Sequence, residues 1–266
     1  MKIKLIATDL DDTLMRPDRG ISEYTISVFD RCRKLGVLMC FLTARSAKAS
    51  AQSARLVSPD YMVTCGGALC LFGDETLFEV ILARDEANEI ISFCKTLPSM
   101  QSIQAETAER NYYIDNAELT GMTGDYAHVK YYDFNFPLSC GVYKLMARID
   151  DERDRRALIK QFPNARIYNY VGGTTCFIAS KAATKLRGLE IVAMHAGISL
   201  AEIAAFGDDT GDVDYLAACG YGVAVENAVD AAKSAAKYIC GPNSEDGVAR
   251  WLEENCLKEK SITKPN

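Results

Sequence analysis

Short continuous apolar runs alternate with amphipathic stretches through the first third of the chain. Lys2–Thr8 (KIKLIAT) is a β-rich run that ends abruptly in acidic residues, and Val37–Thr43 (VLMCFLT) is a continuous apolar run, the pattern of a strand buried on both faces of a parallel sheet. Between them, Ile26, Phe29 and Cys32 recur at helical spacing. Ser22 stands where a helix is capped and Gly36 where it ends. Tyr61–Cys65 and Ala68–Phe72 are shorter strand candidates around Gly66 and Gly67. The last third repeats the style. Lys185–Ala196 reads as a helix with Leu186, Leu189 and Val192 on one face, stopped at Gly197. Glu202–Phe206 and Tyr221–Val225 read as strands, and Asp212–Ala218, Asn227–Ala236 and Asp246–Glu254 as helices. Strand–helix alternation of this kind predicts a doubly wound parallel sheet.

The middle differs. A helix over Glu86–Leu97 carries Ala87, Ile90, Ile91 and Cys94 at helical spacing. Tyrosine-rich alternating runs follow at Asn111–Asp115, Gly141–Ile149, Arg166–Val171 and Thr174–Ala179, interrupted by a charged helix, Asp151–Phe162. Hairpin-like strands with helices on one side predict an α+β module inserted into the α/β domain, over residues 83–180. The polar tail, Lys258–Asn266, is expected to fray.

Composition narrows the classes. The chain has 266 residues, 48% hydrophobic and 25% charged, enough for one large domain or two modest ones with an ordinary core. A net charge of −6 and a pI near 5.1 speak against nucleic acid or an anionic membrane as the main partner. No apolar run approaches the about 18 residues of a membrane span. The opening MKIKLIATDLDD turns acidic too soon for a signal peptide. The ten cysteines are scattered without C-x-x-C spacing, and the two histidines, His128 and His195, are far from any cysteine pair. Buried, reduced thiols in a cytoplasmic protein are the expectation, rather than a zinc site or disulfide framework.

The chemistry concentrates after the strands. Asp9-Leu10-Asp11-Asp12-Thr13 directly follows the first strand, and in open α/β sheets ligands bind beyond the carboxyl ends of strands. A carboxylate at the first position can attack an electrophile. A second, two residues on, can serve as general acid and then base. Carboxylates this close call for a hard cation such as Mg²⁺. An acidic loop capping the next helix is the plainer reading of the same residues. Thr43-Ala44-Arg45 follows the second buried strand, Gly207-Asp208-Asp209-Thr210-Gly211-Asp212 follows a later one, and Lys185 opens the helix before it.

In that order, Asp9-x-Asp11-x-Thr13, Thr43, Lys185 and Gly207-Asp208-x-x-x-Asp212 resemble the four motifs of haloacid dehalogenase-like hydrolases. The large insert after the second motif and the ending Gly222-Val223-Ala224-Val225-Glu226-Asn227-Ala228 are similar to the Cof-type subgroup with a class IIB cap. The resemblance implies a Rossmann-like parallel-sheet core formed by residues 1–82 and 181–266, with an inserted α+β cap over 83–180. It implies a Mg²⁺-dependent phosphatase of small phosphorylated metabolites, sugar phosphates first. Asp9 would be the nucleophile that forms an aspartyl-phosphate and Asp11 the general acid/base. Asp9, the main-chain carbonyl of Asp11, and Asp208 would ligate the metal, with Asp212 and Thr13 in support. Thr43 and Lys185 would hold the phosphoryl group. The partner implied is a small phosphate ester, for a monomer or small homo-oligomer.

The chain departs from the family pattern in three places. Gly211 stands where Asn is common, and Gly66-Gly67 replaces a common Asn-Gly pair. Lys181-Ala182-Ala183-Thr184-Lys185-Leu186 leaves Lys181 as a second candidate beside Lys185. These bear on substrate and rate rather than on the nucleophile. Two other classes share much of the pattern: a phosphomutase that returns the phosphoryl group to the sugar, and a non-catalytic phosphate-sensing domain of receiver type.

Overall fold

The computed structural model describes residues 3–116, 128–169 and 173–257. The chain packs as two compact units, one of Met1–Phe41, Ser53–Asp60 and Ala193–Asn266, the other of Leu42–Gln52 and Tyr61–Val192.

The first unit is built on parallel strands. In sheet order β14 (Tyr238–Cys240), β13 (Tyr221–Val225), β12 (Ile203–Gly207), β1 (Leu5–Thr8) and β2 (Leu38–Leu42) are neighbours, with Leu5 opposite both Leu38 and Ile203. Every residue of β1 and β12 is buried, which is why both read as unbroken apolar runs. Helix α1 (Glu23–Lys34) follows β1 and buries Thr25, Val28, Phe29 and Cys32 along one stripe. The Ser22 hydroxyl accepts from Thr25 N at 3.0 Å, the expected cap. Gly36 leaves the helix at φ 80°, a conformation open to glycine at little cost. The expected helices of the last third are present but shorter: α6 (Val213–Ala218), α7 (Asp230–Ala235) and α8 (Gly247–Leu252).

The second unit contains an antiparallel meander, β3 (Tyr61–Thr64), β4 (Leu69–Phe72) and β5 (Glu75–Glu79), so the α/β part is not purely parallel. It also contains a six-stranded sheet ordered β10 (Ala165–Asn169), β11 (Thr175–Ser180), β9 (Val142–Ile149), β6 (Met100–Thr107), β7 (Tyr112–Ile114) and β8 (Val129–Tyr131). All neighbours there are antiparallel except β7 and β8. Helices α3 (Arg84–Thr96) and α4 (Glu152–Gln161) share one core with this sheet. Ala87, Ile90, Ile91 and Cys94 of α3 and Leu158 of α4 pack with Ile103, Ala105, Leu145, Ala147 and Ile178. Each large apolar side chain so buried contributes about 1.5–3 kcal/mol. Strand β6 is absent from the sequence expectation because only Ile103 and Ala105 of its inner positions are apolar, alternating with Ser102, Gln104 and Glu106. Tyr170 and Val171, at the end of one expected strand, and the expected frayed tail lie outside the described residues.

None of the ten cysteines is in a disulfide, and eight of them are buried. Among the described residues no helix is long and apolar enough to cross a membrane.

Candidate active site

Two loops of the first unit, one leaving β1 and one leaving β12, carry the acidic residues singled out in the sequence. Asp9 is the first residue beyond β1. Its main-chain N–H donates to the Phe206 carbonyl at 3.0 Å, so the ends of β1 and β12 are tied at the point where both chains turn acidic. Its side chain is held in a largely closed setting, with the residue 6% exposed. Beyond it the chain makes a tight irregular turn. Asp11 is extended (φ −65°, ψ 132°) and Asp12 is left-handed (φ 55°, ψ 5°), a conformation Asp tolerates better than most residues. Met15 N–H closes the turn on the Leu10 carbonyl at 2.8 Å. This geometry exposes Asp11 and Asp12 and turns Thr13 inward.

The second loop is organised by Asp212, which is fully buried. Its Oδ2 accepts the main-chain N–H groups of Asp208 at 2.9 Å and of Asp209 at 3.1 Å, fixing the Asp208 backbone. Thr13 Oγ1 then donates to Asp208 Oδ1 at 2.7 Å and links the two loops. Gly207 is required by crowding: a Cβ there would lie 2.7 Å from both Cβ and Oδ2 of Asp212, and closer still to the Tyr215 hydroxyl. That hydroxyl donates to the Phe206 carbonyl at 2.8 Å. Complete burial, and then the nearby carboxylates of Asp212, Asp9 and Asp208, push the Tyr215 phenol well above its ordinary range, so it remains a neutral donor.

Asp9, Asp208 and Asp212 each offer a carboxylate oxygen within 4.8 Å of the others. Three carboxylates this close repel one another unless a cation joins them. An all-oxygen donor set suits a hard divalent ion such as Mg²⁺. The residues present therefore fit the metal. The Asp11 carboxyl does not join this triad.

Thr43 and Lys185 belong to the second unit. Thr43 is buried just beyond β2. Its N–H donates to the Val63 carbonyl at 2.8 Å, its carbonyl accepts from Gly66 N at 3.0 Å, and its hydroxyl accepts from Arg45 N at 3.1 Å. The loop it sits on is thus fixed from both sides. Lys185 is the first residue of α5 (Lys185–Ala196) and is 6% exposed, whereas Lys181 is exposed. Burial of a lysine at a helix start, against an exposed one four residues earlier, favours Lys185 as the functional cation. Gly67, at φ 103°, lets the chain pass against the Thr184 backbone just before that helix; a Cβ there would sit 2.7 Å from Thr184 N.

The other glycine of the pair has a neighbour that the sequence does not announce. A Cβ on Gly66 would lie 2.5 Å from Cζ of Phe177, a buried residue of β11. Phe177 thus fills the space that a side chain at position 66 would take. Tyr215, whose hydroxyl bonds the end of β12, was not singled out in the sequence, and Asn227 was noted only within the Gly222–Ala228 ending and at the start of an expected helix, with no contact assigned to it. A fully buried tyrosine three residues past Asp212 carries no motif signal.

Comparison with known proteins gives the family and the fold. The family model described as haloacid dehalogenase-like hydrolase matches residues 6–252. The 5-amino-6-(5-phospho-D-ribitylamino)uracil phosphatase YitU of Bacillus subtilis is 26% identical, over 94% of this chain and 96% of its own. The corresponding phosphatase YbjI of Escherichia coli is 25% identical over 96% of each. Among solved structures, the subclass IIB sugar phosphatase BT4131 superposes with a TM-score of 0.82 at 23% identity, covering 94% of this chain and 98% of that one. At that identity the likeness concerns the fold.

Proposed function

The chain belongs to the haloacid dehalogenase-like hydrolases, and from that premise we propose that it is a Mg²⁺-dependent phosphatase of small phosphorylated metabolites working through an aspartyl-phosphate. The observation that carries this reading is the triad of Asp9, Asp208 and Asp212 at the ends of β1 and β12, with Thr13 bridging the two loops.

In the proposed first step the Asp9 carboxylate attacks phosphorus. A bond from an Asp9 carboxylate oxygen to phosphorus forms, giving an acyl-phosphate, as the bond to the leaving alkoxide breaks. Asp11, exposed two residues on, gives its proton to that alkoxide. In the second step Asp11, now a carboxylate, takes a proton from water. That water attacks phosphorus, phosphate leaves, and the Asp9 carboxylate is regenerated. Thr43 and Lys185 hold the phosphoryl oxygens, because phosphoryl transfer depends mainly on positioning and charge neutralisation. Asp9, Asp208 and the Asp11 main-chain oxygen would hold Mg²⁺, which when bound offsets charge on the phosphoryl oxygens. Asp212 supports them, since one of its oxygens is committed to two main-chain N–H groups.

Residues 1–82 and 181–266 form the catalytic core in this reading, and 83–180 the cap. The relatives' activities support sugar phosphates first as the substrate class, and polyol phosphates such as a phosphoribityl ester next. A cytoplasmic monomer or small homo-oligomer acting on a soluble ester completes the picture. The test is phosphate release from sugar phosphates, a ribityl phosphate, nucleotides, pyridoxal phosphate and p-nitrophenyl phosphate, with and without Mg²⁺. Metal-dependent release from at least one ester is expected. Conversion of a sugar phosphate to its positional isomer without phosphate release would make the protein a mutase. A stable phospho-protein with no turnover would make it a sensor.

A further inference from the structure

The turn after β13 makes contacts that its own geometry does not require. Within the turn, Ala228 N–H returns to the Val225 carbonyl at 3.0 Å. Its other hydrogen bonds leave it. Val229 N–H donates to the Asp208 carbonyl at 2.8 Å, and Asn227 Nδ2 donates to the Asp12 carbonyl at 2.8 Å. Asn227 Oδ1 in turn accepts from Asn243 N at 2.9 Å. The Asn243 side chain, itself buried, donates to the Met15 carbonyl at 2.8 Å. An asparagine serving only its turn would bond its own backbone about two residues on. Here the amide reaches a segment 215 positions away.

Together these bonds close a ring. The Asp11–Thr13 turn is joined to Asp208 through the Thr13 hydroxyl on one side. On the other side it is joined through Asn227 and the Val229 N–H. Asp12, the residue that Asn227 grips, is the one held in the left-handed conformation that reverses the chain between Asp11 and Thr13. Only a side chain with both a donor and an acceptor meets the Asp12 carbonyl and the Asn243 N–H at once.

We propose that Asn227 is a positioning residue that fixes the Asp11–Thr13 turn against the Asp208 loop, and so sets the general acid and the metal carboxylate in register. The kinetic part of this inference rests on the proposed phosphatase reading; the structural part does not.

The test uses the full chain with N227A and N227D. Asn227 is exposed, so neither change opens a cavity. N227D keeps the size and the acceptor but turns a carboxylate toward the Asp12 carbonyl. Deuterium uptake of the 10–16 segment, measured without metal or substrate, should rise about fivefold in both variants, the worth of one net hydrogen bond. With p-nitrophenyl phosphate, kcat should fall about fivefold to tenfold while KM stays within about twofold, because the acid and metal loops move and the phosphoryl-holding residues do not. Uptake like the wild type in both variants overturns the proposal. So does faster uptake with kcat unchanged, or N227D behaving as wild type while N227A does not. If the wild type releases no phosphate from any ester, the phosphatase reading fails, and the uptake result alone decides whether the brace exists.

Discussion

Replacing Gly207 by alanine places one methyl group where the acidic site has no room. The added Cβ would lie 2.7 Å from Asp212 Cβ and Oδ2, and nearer to the Tyr215 hydroxyl. Contacts below about 3.0 Å are not tolerated in a close-packed interior, so either the tyrosine or the aspartate moves. Tyr215 is fully buried and bonded to Phe206, and Asp212 holds two main-chain N–H groups. Neither is a flexible end that swings away freely. Overpacking of this kind costs about 1–3 kcal/mol, or about 2–4 °C in Tm for each kcal/mol at a domain size near 200 residues. The rate should suffer more than the stability. Loosening the Asp212 bonds releases the Asp208 backbone, and each hydrogen bond to a carboxylate is worth about 1.5–3 kcal/mol. If half of one such bond is lost in the transition state, the rate falls about threefold to tenfold; loss of the whole bond takes it beyond tenfold. The assay is scanning calorimetry beside Mg²⁺-dependent phosphate release. Adding Y215F relieves the hydroxyl clash but not the one with Asp212, so the double variant should regain part of its Tm and little of its rate. A G207A protein with wild-type Tm and a rate within twofold would refute the packing argument, and full recovery of rate by Y215F would refute the role given to Asp212.

Three further substitutions probe the second unit. K185A should reduce phosphate release on the order of 100-fold, as loss of an electrostatic clamp does, while K181A stays within twofold; equal effects would return Lys181 to contention. Glu106 on β6 is 3% exposed and its Oε2 has no hydrogen-bond partner among the described residues. Burial pushes its carboxyl above the ordinary range, with Lys144 and Ser46 pulling it back. A raised carboxyl favours the folded state when protonated, and that contribution is lost as pH rises from the ordinary carboxylate range, near 4.5, through the raised value. E106Q should therefore melt above the wild type at pH 7.5, with the gap closing as pH falls toward 4. A lower Tm at pH 7.5 would mean that the attraction to Lys144 outweighs burial.

What was legible in the sequence follows from where the forces are local. Strands β1 and β12 are buried throughout and β2 at all but its first residue, so their apolar runs could be read without partners. The Ser22 cap and the Gly36 stop depend on neighbours three or four residues away. Asp9, Asp208 and Asp212, the carboxylates on which the proposed chemistry rests, stand out in the sequence because they lie in loops that directly follow apolar strands. Strand β6 was hidden because it presents apolar residues on one face only and places a buried glutamate on the other. The Asn227 brace and the Phe177 side chain behind Gly66 depend on partners far away in the chain, and no local spacing announces them. Lys185 lies between these cases: spacing favoured it, and its burial against the exposure of Lys181 strengthens that choice.

The covalent role of Asp9 is the centre of the account, and acid quenching tests it directly. Wild type and D9N are mixed with an ester labelled in its phosphoryl group, in the presence of Mg²⁺, and denatured in acid within the first turnover. The account predicts label retained on the wild-type polypeptide, released by mild base as an acyl-phosphate is. It predicts no label and no phosphate release from a D9N protein that melts like the wild type. Label on D9N, or steady turnover by it, would contradict the mechanism.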